Sequence, residues 1–161
     1  MTSKWIFNAS PLILLGKAGL LNTLSSLAEC WIIPEKVAKE VSHKSSLSSI
    51  EAQLSEKSQV KHQRAEFTDP LVANWNLGAG ESEVLTLAVK NPKYGAVLDD
   101  LQARKCSQVL NIPLIGSLGL VIKAKKQGLI ESVKPAFDRL AAAGLYINPE
   151  LIKKVLRSVG E

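Results

Sequence analysis

The sequence predicts an α/β protein in which a central, mainly parallel β-sheet lies between two layers of helices. Short apolar runs bounded by turn residues have the length of buried strands. Longer segments with apolar residues at helical spacing separate these runs, and strands that alternate with helices indicate a parallel sheet covered on both faces. Right-handed crossovers then bring the carboxyl ends of all strands to one edge of the sheet.

The order of these patterns assigns each element. We expect strands at 5–7, 30–33, near Val60, at 95–98 and at 113–115. We expect helices at 12–17, 20–27, 35–42, 70–75, 80–90, 101–110, 118–126, 133–143 and 149–157. A polar, serine-rich excursion covers about 45–67 and carries Leu47, Ile50 and Leu54 at helical spacing. Without repeats or a clear linker, residues 1–161 are expected to form a single domain.

Several polar residues mark where helices begin. Ser10 is expected to cap the first helix, with Pro11 at its first position. Asp99 could be an ordinary cap for the helix that starts at Leu101, but the adjacent Asp100 is harder to explain in that way. Ser117 stands before another helix, where it could cap that helix or meet a phosphate.

Composition narrows the class of protein. Of the 161 residues, 46% are hydrophobic and 22% charged, which is ordinary for a globular protein. The longest apolar run, 6–15, is interrupted by polar residues and proline, so we expect no membrane span and no signal peptide. Cys30 and Cys106 are expected to be reduced core residues of a cytoplasmic protein.

The net charge of +5 modestly favours a polyanionic partner, although a solvated basic surface explains it about as well. Basic residues crowd the last third of the chain, and we expect them to form a basic surface near the acidic site. They are Lys123, Lys125, Lys126, Lys134, Arg139, Lys153, Lys154 and Arg157.

The stretch 80–105, GESEVLTLAVKNPKYGAVLDDLQARK, places acids where an apolar strand meets a helix. Asn8, Asp99 and Asp100 follow strands and should lie at the carboxyl edge of the sheet, where open α/β sheets form their sites. Glu40 and Glu83 lie on helices that can lean over this edge. We expect Glu40, Glu83 and Asp99 or Asp100 to converge within about one metal coordination sphere.

Five segments in this order resemble a PIN-like subfamily of predicted nucleic-acid-binding domains: NASPLILLGKAGLL, IIPEKVAKEV, GAGESEVLTLAV, VLDDLQARK and IGSLGLVIKAKKQGLI. The resemblance covers nearly the whole chain except about 45–67. It implies a three-layer α/β/α fold. It also implies a metal-dependent endoribonuclease that acts on single-stranded RNA, such as the toxin of a toxin–antitoxin pair, with an antitoxin protein as partner and a homodimer as assembly.

The resemblance also implies site residues. By motif, the first acidic position of the family falls at Asn8, the second at Glu40, the third at Glu83 with Glu81 as a rival, and the fourth at Asp99 or Asp100. These residues would be the catalytic and metal-binding set. Mg²⁺ or Mn²⁺ fits such oxygen ligands, and a cation among several carboxylates offsets their repulsion.

Supporting roles follow from the same pattern. Ser10 resembles the Ser or Thr that follows the family's first acid and could orient it. Arg104 lies one helical turn beyond Asp100 and could face substrate phosphates, as Ser117 could. Each of these side chains has an ordinary structural explanation as well, either as a cap or as a solvated arginine.

Asn8 departs from the family pattern, which has Asp at that position. An Asn carbonyl can bind Mg²⁺ but brings no charge and cannot act as a base. A catalytically weakened module that binds RNA or a protein partner is therefore the alternative function. A receiver-type signalling domain ranks lower, because it requires an acidic pair after the first strand, where this chain has Asn8-Ala9.

Overall fold

Five parallel strands form one sheet in the computed structural model, which describes residues 3–161. The strands are β1 (Lys4–Phe7), β2 (Cys30–Pro34), β3 (Gln59–Gln63), β4 (Tyr94–Val97) and β5 (Leu114–Ile115). Their order across the sheet is β3-β2-β1-β4-β5, and every pair is parallel. The central strands are almost wholly apolar and buried, as expected for a parallel sheet covered on both faces.

Helices flank the sheet on both faces, so the fold has three layers, α/β/α, as the sequence predicts. The helices are α1 (Ala9–Lys17), α2 (Leu21–Leu24), α3 (Glu35–Lys44), α4 (Leu47–Leu54), α5 (Pro70–Ala73), α6 (Ala79–Lys90), α7 (Leu101–Val109), α8 (Ser117–Lys126), α9 (Lys134–Ala143) and α10 (Pro149–Ser158). A short 3-10 turn at Ser25–Leu27 completes the predicted segment 20–27.

The polar excursion contributes two elements to the fold. Its apolar positions Leu47, Ile50 and Leu54 lie on α4, and two of them, Ile50 and Leu54, are buried. The weak strand predicted near Val60 is β3, an edge strand whose side chains are mostly exposed. A half-exposed edge strand needs few apolar residues, which explains its weak pattern in the sequence.

The first helix begins earlier than its capping signals predict. Asn8 occupies the N-cap position of α1, and Ser10 is an exposed residue within the first turn. The prediction that Ser10 caps this helix is therefore wrong. Pro11 still lies within the first turn, where its missing N–H leaves no hydrogen bond unmade.

The core confirms the predicted state of the cysteines. Cys30 and Cys106 are buried free thiols. Burial raises the pKa of both thiols; for Cys30, the charges of Lys61 and Lys4 oppose this effect. Both thiols are therefore poor nucleophiles at neutral pH. Among the helices within 3–161, none is long and apolar enough to cross a bilayer.

Candidate metal centre

The carboxyl ends of the two central strands β1 and β4 lie side by side. Phe7 pairs with Val97 in the sheet, and the Asn8 amide donates to the Val97 carbonyl at 3.1 Å. Asn8 therefore stands at the exit of β1, and Asp99 follows two residues after the end of β4. The sheet brings these two predicted site residues to adjacent exits, as its parallel topology requires.

The Asn8 side chain is buried but does not cap α1. Asn8 is 2% exposed, and its side chain accepts no capping hydrogen bond from the helix that it precedes. Asn at an N-cap usually accepts a bond from the first turn. Here the amide oxygen Oδ1 instead faces Gly80, at the start of α6.

Asn8, Glu40 and Gly80 bound a small space that we call the Gly80 notch. A Cβ atom placed on Gly80 would lie 3.5 Å from Glu40 Oε1 and 3.6 Å from Asn8 Oδ1. Two oxygen atoms from different elements and the Cγ2 methyl of Val37, which is also 3.5 Å away, thus surround the same point. The absence of a side chain at Gly80 keeps that point open.

Glu40 reaches the notch from the middle of α3. Its side chain is 42% exposed, and its other oxygen, Oε2, lies 3.6 Å from Lys44 Nζ one turn further along the helix. Such exposed pairs contribute little to stability, about 0.3–0.5 kcal/mol. The Oε1 atom that faces the notch is therefore held only weakly.

Glu83, the predicted third acid, is held in a different way. It is 2% exposed; its Oε1 accepts from the Lys36 amide at 2.7 Å, and its Oε2 accepts from the Ala65 amide at 3.1 Å. Lys36 lies in the first turn of α3, whose N-cap, Pro34, offers no side-chain oxygen. Glu83 therefore takes the place of a capping residue for α3 and ties the loop after β3 to α6.

Glu81, the rival for the third position, lies in the first turn of α6. Its carboxylate folds back over Gly78, the N-cap residue of that helix. An acid in this place is favoured by the positive end of the helix dipole. The side chain is half-buried and directed toward the helix start.

Asp99 is fixed by the beginning of α8. Its Oδ1 accepts from the Ser117 amide at 2.8 Å, and its Oδ2 accepts from the Ser117 hydroxyl at 2.5 Å. Arg104 Nη1 donates to the carbonyl of Leu98, the residue before Asp99, at 3.0 Å. Ser117 therefore neither caps α8 nor presents a free hydroxyl, because both of its donors orient Asp99.

Asp100, not Asp99, is the cap of α7. Its Oδ2 accepts from the Ala103 amide at 2.9 Å, and the residue is exposed. The sequence favoured the opposite assignment for the two aspartates. Either residue matches the capping pattern, and only the direction in which β4 turns into α7 decides between them.

The expected convergence of Glu40, Glu83 and Asp99 or Asp100 does not occur. Within residues 3–161, no three His, Cys, Asp or Glu side chains form a group that could hold a metal ion. The physical reason is that Glu83 and Asp100 bind backbone amides, and Asp99 binds Ser117. What the structure brings together at the Gly80 notch is one acid and one amide.

The basic residues predicted to lie near the site are spread over several helices, and Lys153, Lys154 and Arg157 lie on α10, whose Leu151 lines the same cavity as Asp99. Lys123, Lys125 and Lys126 lie in the last turn of α8, whose first residue holds Asp99. These lysines lie six to nine residues beyond Ser117, about 9–14 Å along the helix axis, and so away from Asp99. Other members form local contacts: Lys134 with Asp138, Lys153 with Glu150, and Arg139 with the Ala18 carbonyl.

Two features of the site were not predicted from the sequence. The role of Gly80 depends on the crossing of α1, α3 and α6, which no local pattern encodes. The bond of Ser117 to Asp99 depends on the adjacency of β4 and β5. Gly80 is the first residue of the predicted helix 80–90, where glycine is not unusual, so the sequence offered no clear signal for its role.

Comparison with known proteins supports the family that the motifs suggest. A family model described as a PIN domain matches residues 4–161. A search of curated proteins finds no match. PIN domains are generally nuclease-like, commonly bind nucleic acids and generally use divalent metal ions. Since the match spans nearly all of the chain and the fold agrees with it, the chain belongs to the PIN-domain family.

Proposed function

We propose that this protein is a metal-dependent endoribonuclease of the PIN type that cleaves single-stranded RNA. The observation that carries the proposal is the Gly80 notch. A buried amide oxygen of Asn8 and a carboxylate oxygen of Glu40 face one open point at the carboxyl edge of the sheet. Family membership supports the nuclease class, and Asn8 and Glu40 would be the first ligands of its metal ion.

The donor chemistry of the notch fits a divalent metal ion. Two of the three nearest atoms, Glu40 Oε1 and Asn8 Oδ1, are oxygens, which are the ligands that Mg²⁺ and Mn²⁺ prefer; the third is the Cγ2 methyl of Val37. The side chain of Asn8 makes no capping hydrogen bond to α1. Lys44 lies beside Oε2 of Glu40, which leaves Oε1 at the notch. Asn8 and Glu40 would therefore hold Mg²⁺ or Mn²⁺. When bound, such an ion supplies charge neutralisation at a phosphate and acidifies water.

The remaining residues would orient groups around the notch. Ser117 holds Asp99 in one orientation at the neighbouring strand exit and engages both of its oxygens, so Asp99 would act there through its charge. The N-termini of α1 and α6 both lie at the notch; α1 has no side-chain cap, whereas the Glu81 carboxylate lies over the start of α6. The free N–H groups and positive dipole end of α1 suit a phosphate of the RNA backbone.

A catalytically weakened module that binds RNA or a protein partner is the second candidate. Two observations favour it: Asn8 brings no charge to the notch, and both oxygens of Glu83 are engaged by backbone amides. Such a protein would keep affinity for RNA and lose cleavage. Direct assays of both properties separate the two functions.

Cleavage of labelled single-stranded RNA with Mg²⁺ or Mn²⁺ tests the proposal. Glu40→Gln should reduce cleavage by more than about tenfold, since changes around a metal commonly cost 10–100-fold. Glu35→Gln is the matched control, because Glu35 lies on the same helix, pairs with Lys39 at 3.4 Å and is 44% exposed. Equal loss in both variants, or cleavage that persists in chelator, would contradict the metal site.

The biological setting is part of the same proposal. We assign the protein to the cytoplasm, as the toxin or a toxin relative of a toxin–antitoxin pair, with an antitoxin protein and a homodimer as its assemblies. Growth arrest on expression of the wild type, but not of Glu40→Gln, would support the toxin role. Light scattering tests the homodimer, and a monomer at all concentrations would contradict it.

A further inference from the structure

A groove beside Asp99 has not been assigned a role by the proposed reaction. It lies between the edge strand β5, the start of α8 and the segment that leads into α10, and we call it the β5 groove. Its volume is about 450 Å³, within the range of pockets that hold small ligands. Its lining residues are Asp99, Arg104, Leu114, Ile115, Gly116, Leu118, Gly119, Leu145, Tyr146 and Leu151.

The two ends of the groove differ in chemistry. Leucine and isoleucine side chains line one end of the groove, and its rim carries Tyr146, which is 85% exposed, and Leu151, which is 45% exposed. The other end holds Arg104 and Asp99. An aromatic ring left in solvent beside an apolar wall is ready to stack against a flat partner.

The polar end of the groove carries one carboxylate, Asp99, and one guanidinium, Arg104. Both oxygens of Asp99 accept hydrogen bonds from Ser117. Arg104 donates from Nη1 to the Leu98 carbonyl, and a guanidinium carries five N–H donors in total, which suit phosphate oxygens. Arg104 is therefore the group at this end that can donate to a phosphate, and it does so beside the charge of Asp99.

Two glycines keep the groove open. A Cβ atom at Gly116 would lie 2.8 Å from Arg104 Nη1 and 2.9 Å from Asp99 Oδ1. A Cβ atom at Gly119 would lie 2.7 Å from Ile115 Cγ1. Any larger residue at these positions would displace the groups that form the floor and the polar end.

We infer that the β5 groove is a nucleotide subsite, in which Tyr146 stacks on a base of single-stranded RNA and Arg104 contacts its phosphate. A nucleotide has the same two-ended chemistry, with a flat, largely apolar base and an anionic phosphate. The groove includes Asp99 at the exit of β4, and the adjacent exit of β1 carries Asn8 of the Gly80 notch. This inference rests on the proposed function for its substrate class.

RNA affinity measured without divalent metal tests the subsite separately from cleavage. Fluorescence anisotropy of a labelled 12-nucleotide single-stranded RNA of mixed sequence gives Kd for the wild type and its variants. Tyr146→Ala should raise Kd by about 5- to 100-fold, the effect expected for loss of one stacked base. Tyr146→Phe keeps the ring and should bind within about twofold of the wild type.

Phe67→Ala is the control for loss of an exposed aromatic ring elsewhere. Phe67 is 64% exposed and lies against Lys90, at the opposite end of α6 from the notch. It should leave Kd unchanged. The same RNA with abasic sites should bind wild type and Tyr146→Ala equally, because no base remains to stack.

The outcomes separate this inference from the proposed function. If Tyr146→Ala binds RNA as tightly as the wild type, the subsite is overturned, and a protein partner becomes the better occupant of the groove. That result leaves the Glu40-dependent cleavage assay untouched. Conversely, weaker RNA binding by Tyr146→Ala in a protein that never cleaves RNA supports the subsite and rejects the nuclease.

Discussion

Glu83 and Glu40 are both acids of the family pattern, yet the structure uses them in opposite ways. Glu83 is buried and each of its oxygens accepts a backbone N–H, whereas Glu40 is 42% exposed and has only Lys44 beside one oxygen. The buried acid completes the start of α3 and fixes the loop after β3. The exposed acid leaves Oε1 facing the Gly80 notch.

The comparison shows that burial and availability are different properties of an acidic residue. A buried carboxylate must be hydrogen-bonded, and those hydrogen bonds use the oxygen atoms that could otherwise bind a ligand. A carboxylate at the surface keeps its capacity to bind a ligand. We therefore expect changes at Glu83 to alter stability and changes at Glu40 to alter chemistry.

Glu83→Gln should give the largest change in stability. The glutamine amide keeps one oxygen that can accept a hydrogen bond. Its NH₂ group would face the second backbone N–H, and two donors that face each other leave a buried N–H without an acceptor. We expect the free energy of unfolding to fall by about 2–4 kcal/mol, from loss of a charge-assisted bond and an unpaired amide. Urea unfolding followed by circular dichroism measures it.

Glu40→Gln is compared with Glu83→Gln in the same urea unfolding experiment. It loses only an exposed pair with Lys44, so its free energy of unfolding should stay within about 0.5 kcal/mol of the wild type. The comparison fails if the two variants are destabilised equally, or if Glu40→Gln is the less stable of the two.

Asn8→Asp should add a negative charge beside Glu40 at the notch and so make the chemical role of this site easier to measure. Asn8 is 2% exposed and faces Glu40, so an added carboxylate without metal should lower Tm through repulsion and burial. With Mn²⁺, the same charge should tighten metal binding by about tenfold or more and recover Tm. Thermal unfolding with and without Mn²⁺ measures both effects. An unchanged Tm and an unchanged metal affinity would place Asn8 outside the metal site.

Glu161 is a further acid whose carboxylate is hydrogen-bonded, and we expect its replacement to change stability least. Its carboxylate accepts from the Ser132 hydroxyl and from the Val133 amide, and it lies 3.6 Å from Lys125 Nζ. The Ser132 bond is the main cause that holds the pKa of this carboxyl below its ordinary value of 4.5, with Val133 and Lys125 acting in the same direction. A lowered pKa in the folded state stabilises the protein above pH 4.5, and this contribution is lost as pH falls through the folded pKa.

Tm measured from pH 8 to pH 3 checks this expectation. The wild type should be slightly more stable than Glu161→Gln at neutral pH, and the difference should shrink below about pH 4.5. Glu131→Gln serves as the control, because Glu131 is an exposed acid next in sequence to Ser132. A difference that stays constant with pH would mean that the carboxylate charge is not involved.

The sequence predicts the fold well because its strands are short, apolar and separated by periodic helices. Even β3 could be located, although an edge strand carries a weak pattern. Individual caps were less predictable: Ser10 and Asp99 each matched the capping pattern, but Asn8 and Asp100 occupy the cap positions. Local composition allows either neighbour, and the angle between strand and helix selects one.

The sequence predicted which residues lie near the carboxyl edge of the sheet but not which of their side chains are free to bind a ligand. The topology brought Asn8 and Asp99 to adjacent strand ends, as expected. It could not reveal that Glu83 would bind Lys36 and Ala65, because those amides come from elements distant in sequence. Which acids are free and which are engaged is a property of tertiary packing.

The central claim is that the Gly80 notch, bounded by Asn8 and Glu40, holds the metal ion. Gly80→Ala tests it most directly, because the added methyl group would lie at ordinary contact distance, 3.5 Å from Glu40 Oε1 and 3.6 Å from Asn8 Oδ1, and would fill the notch. Alanine in place of a helical glycine should also keep or raise stability, by about 0.5–1 kcal/mol. Gly16→Ala is the matched control, in α1 against Ile50 and Leu21.

Isothermal titration with Mn²⁺ on the wild type, Gly80→Ala and Gly16→Ala is the decisive measurement. We predict that the wild type and Gly16→Ala bind Mn²⁺ with equal affinity and that Gly80→Ala, still folded, binds at least about tenfold more weakly. A folded Gly80→Ala protein that binds Mn²⁺ as tightly as the wild type would contradict the account.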